Sequence, residues 1–401
     1  MGAPLDPVDL SDGRSFGRGF PHAFFTRLRH EAPVWWHEAT AQTPGGEGFW
    51  VVSRYADVMT VFRDAKTFSS ELGGTQIFDG KGQGYQLNQT DGAKHRRLRG
   101  LVNQGFTPRM IGRLEDDVRR RTREILDAIP VSEVFDFVPA VARELPLQTI
   151  CSVLGIPLSD RAELSEIVDL AITAGTGEVM ATEHVRRLSR YGGSLIEKKR
   201  REPADDILST IVHAKLDDGS PDLDNRELRA FFDLLFPAGA ETTRSAIAGT
   251  LLALIENPQE LERLRADPAS MKTFVEEAVR WTSPSVYKRR TAACDTEIRG
   301  VGIRSGQKVT LWEMSANRDE DVFPDPFRFD VGRDPNEHVG FGLGVHFCLG
   351  ANLARLELRV LFEELVSRFE SFERAGELEW TNNNRLVGLM HFPVHAVARR
   401  R

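Results

Sequence analysis

The stretch Phe341-Gly342-Leu343-Gly344-Val345-His346-Phe347-Cys348-Leu349-Gly350 most constrains what this chain can fold into. One cysteine closes a glycine-spaced loop, and an amphipathic helical run, Ala351 to Phe369, follows at once. Glycines at 342, 344 and 350 permit positive φ and a close backbone approach to a flat ligand. A helix that begins just after the cysteine aims its free N–H groups at the sulfur and favours thiolate over thiol. A thiolate in such a loop is a strong axial donor to haem iron. The other two cysteines, Cys151 and Cys294, make no CxxC pair or zinc spacing with it, which points to a reducing compartment. CxxCH is absent, so a haem here is expected to be held without covalent attachment.

The rest of the chain reads as mainly helical with small sheets, in a single domain over 1–401. Phe49–Val52 has strand character, and Tyr55–Phe62 reads as a helix after it. Residues 72–90, rich in Gly and Gln, read as a long loop of the kind that usually serves function. Its Gly80-Lys81-Gly82-Gln83-Gly84 lacks the dinucleotide glycine pattern and any strand–helix frame. Helical periodicity places helices near 94–104, 108–128, 139–154, 159–173, 181–200, 204–217 and 226–256. The last is apolar on most faces and is expected to be a buried central helix. Asp224 with Glu227 forms a capping box at its start, and Pro237 predicts a kink by freeing the Asp233 carbonyl. Acidic residues 217–222 lack calcium-loop spacing. Short strands follow at Glu297–Ile298, Val301–Ile303 and Lys308–Leu311, then a proline-rich meander, and Leu386–Val397 reads as a hairpin.

A net charge of −7 argues against a nucleic-acid partner, since Arg399-Arg400-Arg401 is too short a basic run. The N-terminus has no signal-peptide pattern and no window is apolar enough to span a membrane. The expectation is a cytoplasmic protein with no membrane anchor, acting as a monomer.

Three further clusters bear on chemistry. Ala238-Gly239-Ala240-Glu241-Thr242-Thr243, midway along the central helix, is poor helix material. Ala238 and Gly239 leave room for a ligand, while Glu241 and Thr242 can hydrogen-bond to it and relay protons. Glu277 and Arg280 share a helix face, and Arg328 in the meander is a candidate third partner. His95 and Arg99 share another face; with Arg290 and His346 they could clamp two carboxylates, as haem propionates require.

Together these residues resemble the cytochrome P-450 superfamily, in its soluble bacterial branch, over essentially the whole chain. The resemblance rests first on Phe341, Gly342, Gly344, His346, Cys348 and Gly350, and next on Ala238, Gly239, Glu241, Thr242 and Thr243. It implies haem b with Cys348 as axial ligand. His95, Arg99, Ala238, Gly239, Arg290, Phe341, Gly342, His346, Gly350 and Ala354 would contact the cofactor. O₂ is the implied co-substrate, with Glu241 and Thr242 delivering protons. Glu277, Arg280 and Arg328 would be structural. Electrons would come from a separate ferredoxin or flavodoxin-type donor and its reductase, with Arg355 and Arg359 as a docking patch.

Expected substrate contacts are Ile77, Phe78, Leu235, Ala238, Val286, Leu389 and Met390, together with parts of 72–90 and 160–190. Their aliphatic character favours hydroxylation of a steroid, terpenoid or branched lipid, with tailoring of a polyketide-like secondary metabolite as the alternative. A haem-binding sensor would not need Glu241 and Thr242, and peroxide-driven relatives typically lose that pair. Cys348 as a nucleophile would lack a base oriented by a third group.

Overall fold

The computed structural model describes residues 8–399 except 81, 104, 105, 107, 132, 174–182 and 216–221. The first residues of the expected 181–200 helix and most of the acidic stretch 217–222 lie outside the described residues.

The apolar run forms one helix, Asn225–Glu256, against which helices Glu144–Leu154, Glu183–Arg201, Met271–Thr282 and Ala351–Arg368 all pack. Its capping box is complete: Asp224 Oδ1 accepts the Glu227 N–H at 2.7 Å, and Glu227 Oε2 accepts the Asp224 N–H at 3.2 Å. Glu227 also takes Arg97 Nη2 at 2.6 Å, which ties helix Gly92–Asn103 to this end of the bundle. The helix runs through Pro237 without a break, although the proline cannot donate to the Asp233 carbonyl. Gly239 allows close packing of the crossing helix, because a Cβ there would sit 2.8 Å from Ile150.

Several expected elements end earlier than periodicity suggested. The 108–128 run splits after Gly112 into Pro108–Gly112 and Glu115–Asp127. The 139–154 run opens as a π turn, Val138–Ala142, before Glu144–Leu154 closes at Gly155 with φ 64°. The 204–217 run shrinks to Ile207–Val212, capped by Asp206. Nor is the tail a hairpin. Leu389–His391 pairs with Glu379–Trp380, and Pro393–Ala398 lies between Val134–Asp136 and Phe369–Arg374. Only Phe392 separates the two strands, too little chain to reverse direction.

The main sheet runs Val34–His37, Phe49–Val52, Lys308–Leu311, Lys288–Ala292, Phe68–Ser69. In Lys288–Ala292, alternation sends Lys288 and Arg290 to one face and Arg289 to the other. There Arg289 Nη1 donates to Gln76 O at 3.1 Å and Asp79 Oδ1 at 2.6 Å, pinning the long loop.

Glu277 and Arg280 are fully buried and form a two-pronged pair, both prongs at 2.7 Å. The third partner is Arg333, not Arg328. Arg333 Nε lies 3.2 Å from Glu277 Oε2, whereas Arg328 is exposed and only its backbone carbonyl takes part, accepting from Arg280 and Arg333. The meander turns between the two, so the position five residues later is the one facing inward. Asn336 Nδ2 and the Asp330 N–H also donate to Glu277, at 3.1 and 3.0 Å. Arg333→Ala should therefore cost about 3–5 kcal/mol by opening a buried ionic cluster. Arg328→Ala should stay within about 0.5 kcal/mol. Denaturant titration of both variants checks the assignment, and equal losses would refute it.

Candidate active site

The loop carrying Cys348 is built by local backbone bonds. The Gly342 N–H donates to Val339 O at 2.8 Å, and the Cys348 N–H donates to Phe341 O at 2.9 Å. Gly342 and Gly344 adopt φ of 67° and 73°, where a side chain would be strained. Gly344 also abuts the Phe62 carbonyl, 2.8 Å from where a Cβ would be. Gly350, by contrast, has φ −83° and open space beside it, so positive φ is not its role. It begins helix Ala351–Arg368, and its carbonyl accepts the Ala354 N–H at 2.9 Å.

Cys348 is exposed, yet protein surrounds its sulfur on the remaining sides. Burial raises its thiol above the usual range; the Gly350 N–H and the charges of Lys288 and Arg99 only partly offset this. The helix start alone therefore does not make a free thiolate, as the loop sequence had suggested.

Four distant groups converge near the same loop. His95 is 3% and Arg290 4% exposed, and the rings of His95 and His346 are 4.2 Å apart. His95 Nε2 is buried with no hydrogen-bond partner. Burial, with the nearby His346 and Arg99, holds the His95 imidazole down to about 4. Burial likewise lowers Arg290 to about 10, with Asp91 and Glu313 opposing. Its guanidinium donates only to the Arg289 carbonyl at 3.0 Å, while Arg99 Nε donates to Asn103 at 2.9 Å. His346 lies 3.5 Å from Asp91, itself fixed by the Ser69 hydroxyl and the Ser70 and Glu71 N–H groups. A desolvated cationic bed, with an orphaned imidazole nitrogen, fits the carboxylates of a haem.

Lys288 was not anticipated here. Its ammonium bonds Ser285 Oγ at 2.9 Å and Glu313 Oε2 at 3.0 Å, and both charges act on Cys348. Strand alternation, which puts Lys288 on the face of Arg290, was the available signal.

On the other wall, Thr242 Oγ1 donates to the Ala238 carbonyl at 2.9 Å, and Ala238 is exposed to the cavity it lines. Glu241 is 5% exposed, and burial pushes its carboxyl up to about 7, against the pull of Arg244. Arg244 bridges Glu241 at 3.3 Å and Asp169 at 2.9 Å; Asp169 meets Arg143 at 2.8 Å. This charged chain went unread in the sequence, although Arg244 stands three residues after Glu241 on the same helix.

A cavity of about 890 Å³ opens beside this helix. Phe78, Leu234, Ala238, Glu241, Thr242 and Ser285 line it, with Ile167 and Leu188 from the 160–190 region. Of the expected contacts, Phe78 and Ala238 are on its wall; Ile77, Leu235, Val286 and Leu389 are packed into the core instead. Helical phase explains one exchange, since 234, 238 and 241 share a face and 235 lies about 100° round the helix from 234, at its margin. Strand alternation explains another, Ser285 for Val286. Met390 sulfur instead accepts from Arg244 at 3.7 Å. The wall is also more polar than expected, with Gln76, Gln86, Asn383 and Arg385 among its residues.

Arg355 and Arg359 are not free charges. Arg355 forks onto Glu276 at 2.7 and 2.8 Å, and Arg359 meets Glu115 at 2.6 Å and Glu363 at 3.1 Å.

A glycine-spaced cysteine loop close to buried arginine and histidine side chains, together with an acid–alcohol helix lining a cavity, is the residue set of a haem-thiolate oxygenase. The family profile described as Cytochrome P450 matches residues 159–394, and the chain belongs to that family of monooxygenases. Among its relatives is a Mycobacterium tuberculosis protein designated cytochrome P450 126, 50% identical over 98% of both chains. A steroid C26-monooxygenase of the same organism is 34% identical over 98% of this chain and 93% of its own. A methyl-branched lipid omega-hydroxylase, also from it, is 39% identical over 85% and 83%. Among the described residues no helix is long and apolar enough to cross a membrane.

The raised Glu241 carboxyl sets a pH dependence. Because its folded value, about 7, exceeds its ordinary 4.5, its favourable contribution is complete below 4.5 and is lost as pH rises through 7. Glu241→Gln should therefore gain stability over the parent as pH goes from 5 to 8, with the curves meeting near pH 4. Thermal denaturation across that range would show it; parallel curves would contradict a raised carboxyl.

Proposed function

We propose that this chain hydroxylates a hydrophobic small molecule, of the steroid, terpenoid or branched-lipid kind, using O₂ and electrons from a separate ferredoxin or flavodoxin-type donor. The observation that carries the reading is the convergence of the under-compensated Arg99 and Arg290 and the imidazoles of His95 and His346 near the Cys348 loop, together with a cavity lined by Glu241 and Thr242. Haem b, held by Cys348, His95, Arg99, Arg290 and His346, would supply oxygen activation and insertion into a C–H bond when bound.

The chain's own residues do the rest. Gly342 and Gly344 bring the loop backbone close to the macrocycle. His95 Nε2 and the Arg290 guanidinium would hold its carboxylates. Thr242 Oγ1, now tied to Ala238 O, can rotate to donate into the cavity, and Glu241 reprotonates it. A carboxyl near 7 suits that duty, because it is poised to give and regain a proton at neutral pH. Arg244, anchored by Asp169, holds Glu241 where it lines the cavity. The apolar wall of Phe78, Leu234 and Ala238 excludes water from the reacting end of the substrate.

Similarity to a steroid C26-monooxygenase and a methyl-branched lipid omega-hydroxylase supports a lipid-like substrate. The polar residues Gln76, Gln86 and Asn383 favour a second reading, an oxygenated secondary metabolite such as a polyketide.

The reduced protein under carbon monoxide should show a strongly red-shifted Soret band, and Cys348→Ala should abolish it. A band at the histidine-ligated position in the parent would end the thiolate assignment. Thr242→Ala should keep substrate binding but divert most electrons to hydrogen peroxide. Full coupling in that variant would remove Thr242 from the proton path.

A further inference from the structure

One charge in the substrate cavity has no counterpart. Arg385 lines that cavity beside Asn383, Leu386 and Ser285. Its backbone is fixed: the Arg385 N–H donates to Asn383 Oδ1 at 2.9 Å, and its carbonyl accepts the Val286 N–H at 3.0 Å. Ser285 and Leu386 form a β-bridge alongside. No carboxylate, carbonyl or aromatic face among the described residues engages its side chain, and the nearest group acting on it is Tyr287. Burial holds the guanidinium below the usual arginine range.

The other cavity arginines are occupied. Arg226 lies 3.6 Å over the Tyr85 ring, Arg186 meets Glu183 at 3.7 Å, and Arg229 faces Asp233. The haem carboxylates do not account for Arg385, since their candidates His95, Arg99, Arg290 and His346 line none of this cavity. A half-buried guanidinium left unpaired is unfavourable, and its planar fork matches a carboxylate best.

Resting on the monooxygenase reading, we propose that Arg385 is a specificity residue that binds a carboxylate on the substrate. A hydrophobic acid would then lie with its charged end on Arg385 and its apolar body along Phe78, Leu234 and Ala238. The carbon presented to the cofactor would be remote from the carboxyl group. Neutral analogues of the same shape would bind more weakly, because they cover the guanidinium and leave it unpaired.

Spin-state titration of the holoenzyme with 15-methylhexadecanoate and its methyl ester tests this. The acid should bind at least ten-fold tighter than the ester. Arg385→Gln should weaken the acid ten-fold or more and leave the ester within two-fold, whereas Arg385→Lys should retain part of the preference. Equal affinities in the parent, no shift with the acid, or an unchanged ratio in Arg385→Gln would overturn the proposal. If Arg385→Gln loses haem, the parent's acid-to-ester ratio and the Arg385→Lys variant decide. The carbon monoxide band separates the two readings: its absence in the parent ends the monooxygenase proposal, while a normal band without acid preference removes only the anchor.

Discussion

Everything at the site hangs from a buried carboxylate. Glu277 receives Arg280, Arg333, Asn336 and the Asp330 N–H, and so fixes the course of residues 326–336 against helix Met271–Thr282. The next residues are held just as closely. His338 bonds Glu276 at 3.0 Å, the Val339 N–H bonds Asn317, and Gly340 lies where a Cβ would press on Val279. Cys348 follows within a few residues. With a charge cluster in the core, the loop has few alternative paths, because any displacement strands an ion in low dielectric.

A second set of charges is arranged the opposite way. Where Glu277 is saturated, Arg99, Arg290 and His95 are desolvated and under-compensated, and the Cys348 thiol is raised by the same burial. Each of these costs relaxes when a dianionic ligand with a central cation arrives. Cofactor uptake and folding stability should therefore be strongly linked. Arg385 repeats the pattern at smaller scale on the substrate side.

The charged chain behind Glu241 shows how a buried acid is kept functional. Arg244 and Asp169 sit close enough to stabilise its anion in part, but burial still dominates and holds the carboxyl near neutrality. A stronger ion pair would lock it ionised, and a drier one would keep it protonated. The intermediate setting allows both states to be visited.

Much of this was legible in the chain itself. Short-range chemistry determined the glycine-spaced cysteine loop, the capping box at Asp224, the helix of Glu241 and Thr242 and the mainly helical class, since each depends on neighbours within a few residues. The family resemblance then supplied the far-apart partners His95, Arg99, Arg290 and His346. Tertiary structure alone decided that Arg333 rather than Arg328 meets Glu277, and that Gly239 packs on Ile150. It also decided that Leu234 and Ser285, not Leu235 and Val286, face the cavity, and that the Arg385 side chain has no hydrogen-bond or ion-pair partner among the described residues. Those outcomes turn on helical phase, strand alternation and the path of an irregular meander. A shift of one residue there moves a side chain from core to cavity, and nothing local in the sequence records it.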